Sequence, residues 1–548
     1  MNRPPSLPTH AHTRRAALGL LAAAGATSPA HAQLGDFLNK LVTPPTTTPQ
    51  PGATPAVVAG PQGIVPRGYS ERFLPVRDMI AEGRYADAAS RFGPAAKPDP
   101  SATAAATSAP GAGAGAATPP PGPIVSDPFL ANAEAGLILF EGGSADDAVT
   151  HLRAAEDSQT PQPTASNTTK AKNFLTGAGR MVAGKVTGQE ELAVYHPLDH
   201  EQVLQLNYLS LAYLLQGERR CYNVTRRCIE QQSLLKDKFD KEIEEYKSKY
   251  DQQVNDKKVT DADRTSLDSM AAQFKANDAE ATRVPNAYVN PLGDYLNGVI
   301  QEIVSHEQPS LRDNSRIAYL NAAKLCGLSP QLTAAAAAMA RPRPPANERV
   351  LHVVVGEGFA PSRDVLTFGL ALHGTVVLVR VPIFKPVPSP VHKIVAHSAG
   401  GAALATLDPI GDFEAIRMRD QHDRLPEIMF GVAASTLASY VEGQALNHFG
   451  LFGQAIHSVR DMAATPDTRS WLSLPRRFHV ARIALPRNAQ AVNLVAYDAG
   501  GRRLNSQTAP LLASEQQSIV YARSTGEGMR VQAARKLWIE GRLEDNLT

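Results

Sequence analysis

Ala396-His397-Ser398-Ala399-Gly400-Gly401 follows a β-rich run and resembles the nucleophile elbow of a serine hydrolase, a tight strand-to-helix turn that presents a serine to a histidine base. Asp408 or Asp412 and His422 or His448 are the partners such a serine would need. The first position of the motif is Ala396, where close packing at an elbow calls for glycine, and the helical crossovers of a parallel sheet are missing upstream. A hairpin turn rich in serine and glycine accounts for the same six residues, so the serine hydrolase centred on Ser398 stands as the alternative reading. His196 and His200, with Asp199 and Glu201, have ligand chemistry. Pro197 keeps a regular helix from aligning the two imidazoles, and a loop entering the helix from Leu204 is the simpler reading. Neither a phosphate-binding G-x-x-x-x-G-K-[ST] loop nor a dinucleotide fingerprint occurs, since Gly356-x-Gly358 lacks its third glycine. The residues therefore call for no catalytic group, no metal and no cofactor.

Two basic pairs, Arg219-Arg220 and Arg226-Arg227, recur one heptad apart. Such pairs are usually a solvated helix face, and the sharper expectation is a patch that binds a partner. Over the whole chain 55 Lys and Arg face 53 Asp and Glu, a balance of +2 that argues against a nucleic-acid partner.

Compartment follows from the N-terminus. Thr13-Arg14-Arg15 precedes the weakly apolar run Ala16 to Ala26, and Ala30-His31-Ala32 provides a small-residue cleavage site. This is the outline of a signal peptide over 1–32, read as twin-arginine on Arg14 and Arg15. Ala17 stands where such signals favour phenylalanine, so the general secretory route remains the alternative. The expected location is the periplasm, with association to the envelope. No cysteine follows the cut, which leaves no N-terminal lipid site there. Cys221, Cys228 and Cys326 make no C-x-x-C. Cys221 and Cys228, seven residues apart on one helix, stand about 10 Å apart and cannot bridge, so at most one disulfide, to Cys326, is expected.

The elements that would position these residues are legible in part. Of 42 prolines, 20 fall in the first 125 residues, and no charge occurs between Pro100 and Ser126. These features mark linkers over 33–68 and 94–125 around a helical hairpin at 69–93. Within 126–333 the sequence reads as an irregular tetratricopeptide-like (TPR-like) helical domain. Gly83-x-x-x-x-Ala88, Gly143-x-x-x-x-Ala148 and Ser315, Tyr319 and Ala322 each space small and large residues as the second helix of such a hairpin does. Leu235, Phe239, Ile243, Tyr246, Tyr250 and Val254 form the stripe of one long amphipathic helix. Residues 334–347 read as an alanine and proline hinge. Period-two patterning then predicts strands over 350–355, 365–372, 376–381, 391–396, 478–485 and 491–497, with a helical insertion from Phe413 to Met462, giving an α+β domain over 348–500 and a tail over 501–548. The apolar segment Ile428 to Ile456 carries glycine, serine, asparagine and glutamine and reads as a buried helix, so no transmembrane helix is expected in the mature chain.

Several stretches share a likeness. Glu201-Gln-Val-Leu, Tyr208 through Gly217, Tyr288-Val-Asn290-Pro291 and above all Asp467-Thr-Arg469-Ser-Trp471-Leu-x-Leu474-Pro475 resemble an uncharacterised family of bacterial TPR-containing cell-envelope proteins, many of them lipoproteins. The resemblance spans about 130 to 500. It implies a helical TPR-like half, a β-rich C-terminal domain and no established reaction. Within the motif, Asp467 and Arg469 are suited to pair across a turn, while Trp471, with Leu472 and Leu474 before Pro475, is suited to seal the sheet against the helical insertion. The resulting expectation is a non-catalytic exported scaffold that binds a protein or peptide in the envelope. The alternatives are the Ser398 hydrolase and a structural subunit of an envelope assembly.

Overall fold

The computed structural model describes residues 68–93, 123–159, 195–255, most of 265–272, 278–288, 290–327, 329–345, 347–372, 375–429, 467–511 and 516–534. The expected signal peptide, the expected linkers apart from 68 and 123–125, and residues 430–466, which hold His448 and most of the expected helical insertion, lie outside the described residues, as does the end of the chain from 535.

The helices come first and pack in chain order. Tyr69–Ala81 (α1) and Tyr85–Ser90 (α2) turn at Gly83, whose φ of 80° suits a residue without a Cβ. Pro128–Gly142 (α3) begins at an Asp127 cap with proline at its first position and ends on left-handed Gly143. It folds back onto Ala145–Gln159 (α4), and Asp199–Gln216 (α5) packs next. Arg220–Asn255 (α6) is the long amphipathic helix, whose Leu235 and Phe239 are buried, Phe239 against Tyr288 at 5.4 Å. The short Asp278–Ala281 (α7) precedes Pro291–Val304 (α8), Leu311–Leu325 (α9) and Pro330–Ala340 (α10).

The small residues set the helix spacing. A Cβ on Gly298 of α8 would sit 2.6 Å from Cε1 of Tyr319 on α9, and the Ser315 hydroxyl donates to the Gly298 carbonyl at 2.7 Å. A Cβ on Gly136 of α3 would lie 2.9 Å from Leu152 of α4.

The strands are Glu348–Glu357 (β1), Ser362–Leu372 (β2), Thr375–Lys385 (β3), Lys393–Ser398 (β4), Ala403–Thr406 (β5) and Asp408–Asp412 (β6). After the helix Phe413–Asp423 (α11) come Arg477–Pro486 (β7), Ala491–Tyr497 (β8), Arg503–Pro510 (β9), Gln517–Ser524 (β10) and Met529–Ala533 (β11). One sheet runs β11-β10-β1-β7-β6, with β1 and β10 parallel; a second runs β5-β4-β8-β9; β2 and β3 pair only with each other among the described residues.

Alternation along the central strands builds three layers. Leu351, Val353, Val355, Ala481, Ile483, Val520 and Ala522 meet Ile394, Ala396, Val492, Leu494 and Ala496 of the second sheet. The opposite parity, Val354, Phe478, Val480, Ile519 and Tyr521, joins the core of the helices instead. The mixed α+β class is as expected, while two boundaries are corrected. Residues 330–340 are helix, because Ser329 caps them and the alanines favour helix, so the hinge expected over 334–347 begins later. The tail expected over 501–548 contains β9, β10 and β11, with β10 buried throughout. Helical half and strands share one core across the expected boundary.

Candidate functional site

Ser398 ends β4, and the chain turns straight into antiparallel β5. Its hydroxyl accepts from the Ala402 amide at 3.1 Å, which closes a hairpin turn where an elbow would open a helix. His397 contacts the Tyr497 hydroxyl at 3.1 Å and the Gly401 carbonyl at 3.1 Å. Asp408 accepts from Ser329 and the Gln331 amide, Asp412 caps α11 and pairs with Arg477, and His422 lies beside Asp423. The described residues therefore do not assemble a triad around Ser398. His196 and His200 do not converge on one point: His196 meets the Tyr195 carbonyl, and buried His200 accepts from Arg417 at 3.4 Å. All three cysteines are free, Cys221 and Cys228 both buried on α6. Burial pushes the Cys326 thiol up to about 11, which disfavours the reactive thiolate.

The four arginines are each matched by a carboxylate. Arg219 grips Glu307 at 2.7 Å, Arg220 pairs with Glu218 and lies over the Tyr213 ring, Arg226 stands 3.7 Å from Glu230, and Arg227 pairs with Glu156. Their partners are scattered, Glu156 on α4, Glu230 on α6 itself, Glu218 in the turn before α6 and Glu307 in the turn after α8, and their charge is compensated where they stand.

The Asp467–Pro475 motif is a buried latch. Arg469 pairs with Asp467 at 2.7 Å as expected. Trp471 meets Phe129 of α3 edge-on and Tyr208 of α5 at a tilt, so among the described residues its ring partners lie on the helical half. Its neighbours' backbone does the joining. The Trp471 amide donates to Glu201 at 2.8 Å, and the Leu472 and Ser473 amides donate to Glu134 at 2.7 and 3.0 Å. Tyr69 donates to Glu134, and Arg417 pairs with Glu201 at 3.2 Å with both side chains fully buried. Burial raises Glu134 to about 7 despite these donors.

Two further latches tie helices to the large sheet. Glu141 of α3 accepts from Tyr521 and faces Arg523 at 3.3 Å; burial lifts it to about 7. Glu302 of α8 accepts from Tyr319 and from Arg482 at 2.7 Å. Burial acts to raise Glu302, but the cations and donors around it hold it below its ordinary value. Burial drives neighbouring His352 down to about 4, so at neutral pH the charge that counts is that of Arg482. These ionisable groups are spent on holding layers together.

An open cleft of about 450 Å³ remains where the α1–α2 turn, the end of α3 and the margin of the sheets meet. Glu82, Gly83 and Tyr85 form one wall; Gln507 of β9 and the consecutive residues Gly528 to Gln532 form the other. A strand face would offer alternate residues, so a consecutive run means that β11 turns its edge toward the cleft. Among the described residues β11 is the outermost strand of its sheet. Arg530 lies 5.2 Å over the Tyr85 ring and donates to the Gly142 carbonyl, and Gln532 donates to the Phe140 carbonyl. Burial, then the nearby Glu141 charge, raises the Tyr85 phenol, which stays neutral. A strand edge, two amide side chains and a cation on a ring suit an extended peptide. The sequence reading missed this site because it treated 501–548 as a tail; the run Ser518-Ile-Val-Tyr-Ala522 was the available signal of a buried strand.

No protein-family model, curated protein or solved structure matches this chain.

Proposed function

We propose that the protein is a non-catalytic, exported scaffold of the bacterial envelope that holds an extended segment of a partner protein in the cleft beside β11. The observation that carries the reading is the run Gly528 to Gln532, which lines an open cleft opposite the α1–α2 turn and belongs to the strand that is outermost in its sheet among the described residues. Strand addition uses main-chain hydrogen bonds for affinity and flanking side chains for selection. Two latches support it from the other side: Glu134 holds α1 through Tyr69, and Glu141 ties the end of α3 to Tyr521 of β10, the strand paired with β11.

The TPR-like character rests on the close-packed helix pairs, α3 on α4 and α8 on α9, with small residues at their contacts. Export rests on Arg14, Arg15 and the Ala30-His31-Ala32 site. Two tests apply. Arg14→Lys with Arg15→Lys strands the precursor in the cytoplasm on fractionation, and unimpaired export removes the twin-arginine route. Gly528→Trp fills the cleft from a position where a Cβ meets only ordinary contact, 3.7 Å from the Ala81 carbonyl. It abolishes co-purification of the partner at an unchanged melting temperature, and retained capture moves the binding surface elsewhere.

A further inference from the structure

The β10–β11 hairpin fixes which backbone groups face the cleft. The Thr525 amide donates to the Gly528 carbonyl at 3.1 Å and the Ala534 amide donates to the Ile519 carbonyl at 3.1 Å, while the register sets Arg523 opposite Arg530 and Tyr521 opposite Gln532. Hydrogen-bonded and non-hydrogen-bonded pairs alternate along an antiparallel ladder. Arg530, Gln532 and Ala534 therefore turn their amides and carbonyls toward β10, and Met529, Val531 and Ala533 turn theirs away from it. Among the described residues no backbone group or side chain takes up this outward set.

Side chains alternate as well. Arg530 and Gln532 point to the helices, where they donate to the Gly142 and Phe140 carbonyls at the end of α3. Met529, Val531 and Ala533 pack against the core between the two larger sheets. A strand added at the outer edge of β11 would lie in the cleft, with one face toward Tyr85 and the α1–α2 turn and the other toward Gln507 of β9.

The charges on the cleft walls single out one position along that strand. Glu82 and Arg530 are the charged residues that line the cleft. Glu82 is held by Arg84 at 2.7 Å, whereas Arg530 is met by the Gly142 carbonyl and the Tyr85 ring and, among the described residues, by no carboxylate. A guanidinium has more N–H donors than one carbonyl can use, so Arg530 keeps donors for a further acceptor. The backbone of Arg530 is committed to β10. A residue opposite it on an added antiparallel strand therefore falls in a non-hydrogen-bonded pair, with Cα atoms about 4.5 Å apart, where cross-strand side chains approach most closely. Antiparallel addition is also the more stable per residue.

We infer that the partner segment adds to β11 as an antiparallel strand and presents an acidic side chain to Arg530. The inference rests on the strand-binding reading proposed above and adds to it the direction, register and charge of the bound segment.

The test measures, by fluorescence anisotropy, the binding of capped nonapeptides to the purified chain beginning at Gln33. The peptides alternate valine and threonine around a central glutamate, glutamine or lysine. The glutamate peptide binds about fivefold tighter than the glutamine peptide, as a cross-strand ion pair predicts, and the lysine peptide binds weakest. Arg530→Glu reverses the order, an outcome that a misfolded variant could not give. N-methylation of the central glutamate, whose amide points away from β11, leaves binding unchanged, while N-methylation of either neighbour lowers it more than tenfold. A wild type that binds none of the peptides, an order that Arg530→Glu leaves unchanged, or the opposite methylation pattern overturns the inference. So does binding that appears only once residues 535–548 are removed, which would give the cleft to a segment of this chain, or a dimer that Gly528→Trp dissociates, which would give it to a second copy. Capture of a native partner that Gly528→Trp loses and Arg530→Glu keeps sinks the acidic register alone, whereas capture kept by both variants sinks the strand-binding reading itself.

Discussion

Glu134 offers a quantitative test of the latch. Its carboxyl is fully buried and accepts from the Tyr69 hydroxyl at 2.9 Å and from the Leu472 and Ser473 amides at 2.7 and 3.0 Å. Glu134→Ala leaves those three donors without their acceptor in a site closed to bulk water. At about 1 to 3 kcal/mol for each stranded group, the loss is on the order of 3 kcal/mol or more. The pH dependence separates charge from contact. In the fold this carboxyl titrates at about 7, against 4.5 in the unfolded chain. Below pH 4.5 both states hold the proton. Between 4.5 and 7 the unfolded chain gives it up first, so the folded state binds more protons and stability falls as pH rises. Above 7 the full difference is reached, about 3 kcal/mol at 1.36 kcal/mol per pH unit. Glu134→Gln mimics the protonated carboxyl and carries no charge. Measured by urea unfolding, the glutamine variant, whose NH2 cannot accept from the Ser473 amide, should lie about 1 to 3 kcal/mol below wild type at pH 5 and gain on it by about 2.5 kcal/mol by pH 8. Parallel profiles for wild type and glutamine, or an alanine variant that loses less than about 1 kcal/mol, would refute the burial argument.

Three further outcomes are expected. Gly298→Ala sets a methyl against the Tyr319 ring, which its bond to Glu302 holds in place; overpacking of about 1 to 3 kcal/mol outweighs the roughly 1 kcal/mol gained in helix propensity, and a raised melting temperature would contradict it. Ser398→Ala leaves stability within about 0.5 kcal/mol, and a fluorophosphonate probe leaves Ser398 unlabelled; labelling would reinstate the hydrolase. Replacing Arg219, Arg220, Arg226 and Arg227 with alanine removes charges already matched by Glu307, Glu218, Glu230 and Glu156, so partner capture persists; its loss would restore the patch.

What could be read from the chain followed local periodicity. The alternation through Val350 to Val355 marked β1, and the small residue at Ser315 marked the place where α9 approaches Gly298. The pairing of Asp467 with Arg469 was legible because two residues in a turn are neighbours by geometry. Long-range partners were not. Glu134, Glu141 and Glu302 sit on helices where a lone carboxylate reads as solvent-facing, and their donors from the C-terminal part, Leu472, Tyr521 and Arg482, lie more than 150 residues away. β9, Arg503-Leu-Asn-Ser-Gln-Thr-Ala-Pro510, follows two glycines with few apolar residues and resembles a tail; β10 is buried because it slots parallel to β1, a pairing no local pattern encodes. The cleft inherits that blindness, since one of its walls is the strand beyond β10.

The claim that this is a strand-binding scaffold is tested most directly by placing a photocrosslinking amino acid at Gln507, at Gln532 and, as a reference, at Ser398 in the native host. Crosslinks to one envelope protein from 507 and 532, with none from 398, are the predicted result. Crosslinks from Ser398 alone, or equal yields from all three positions, would contradict the account.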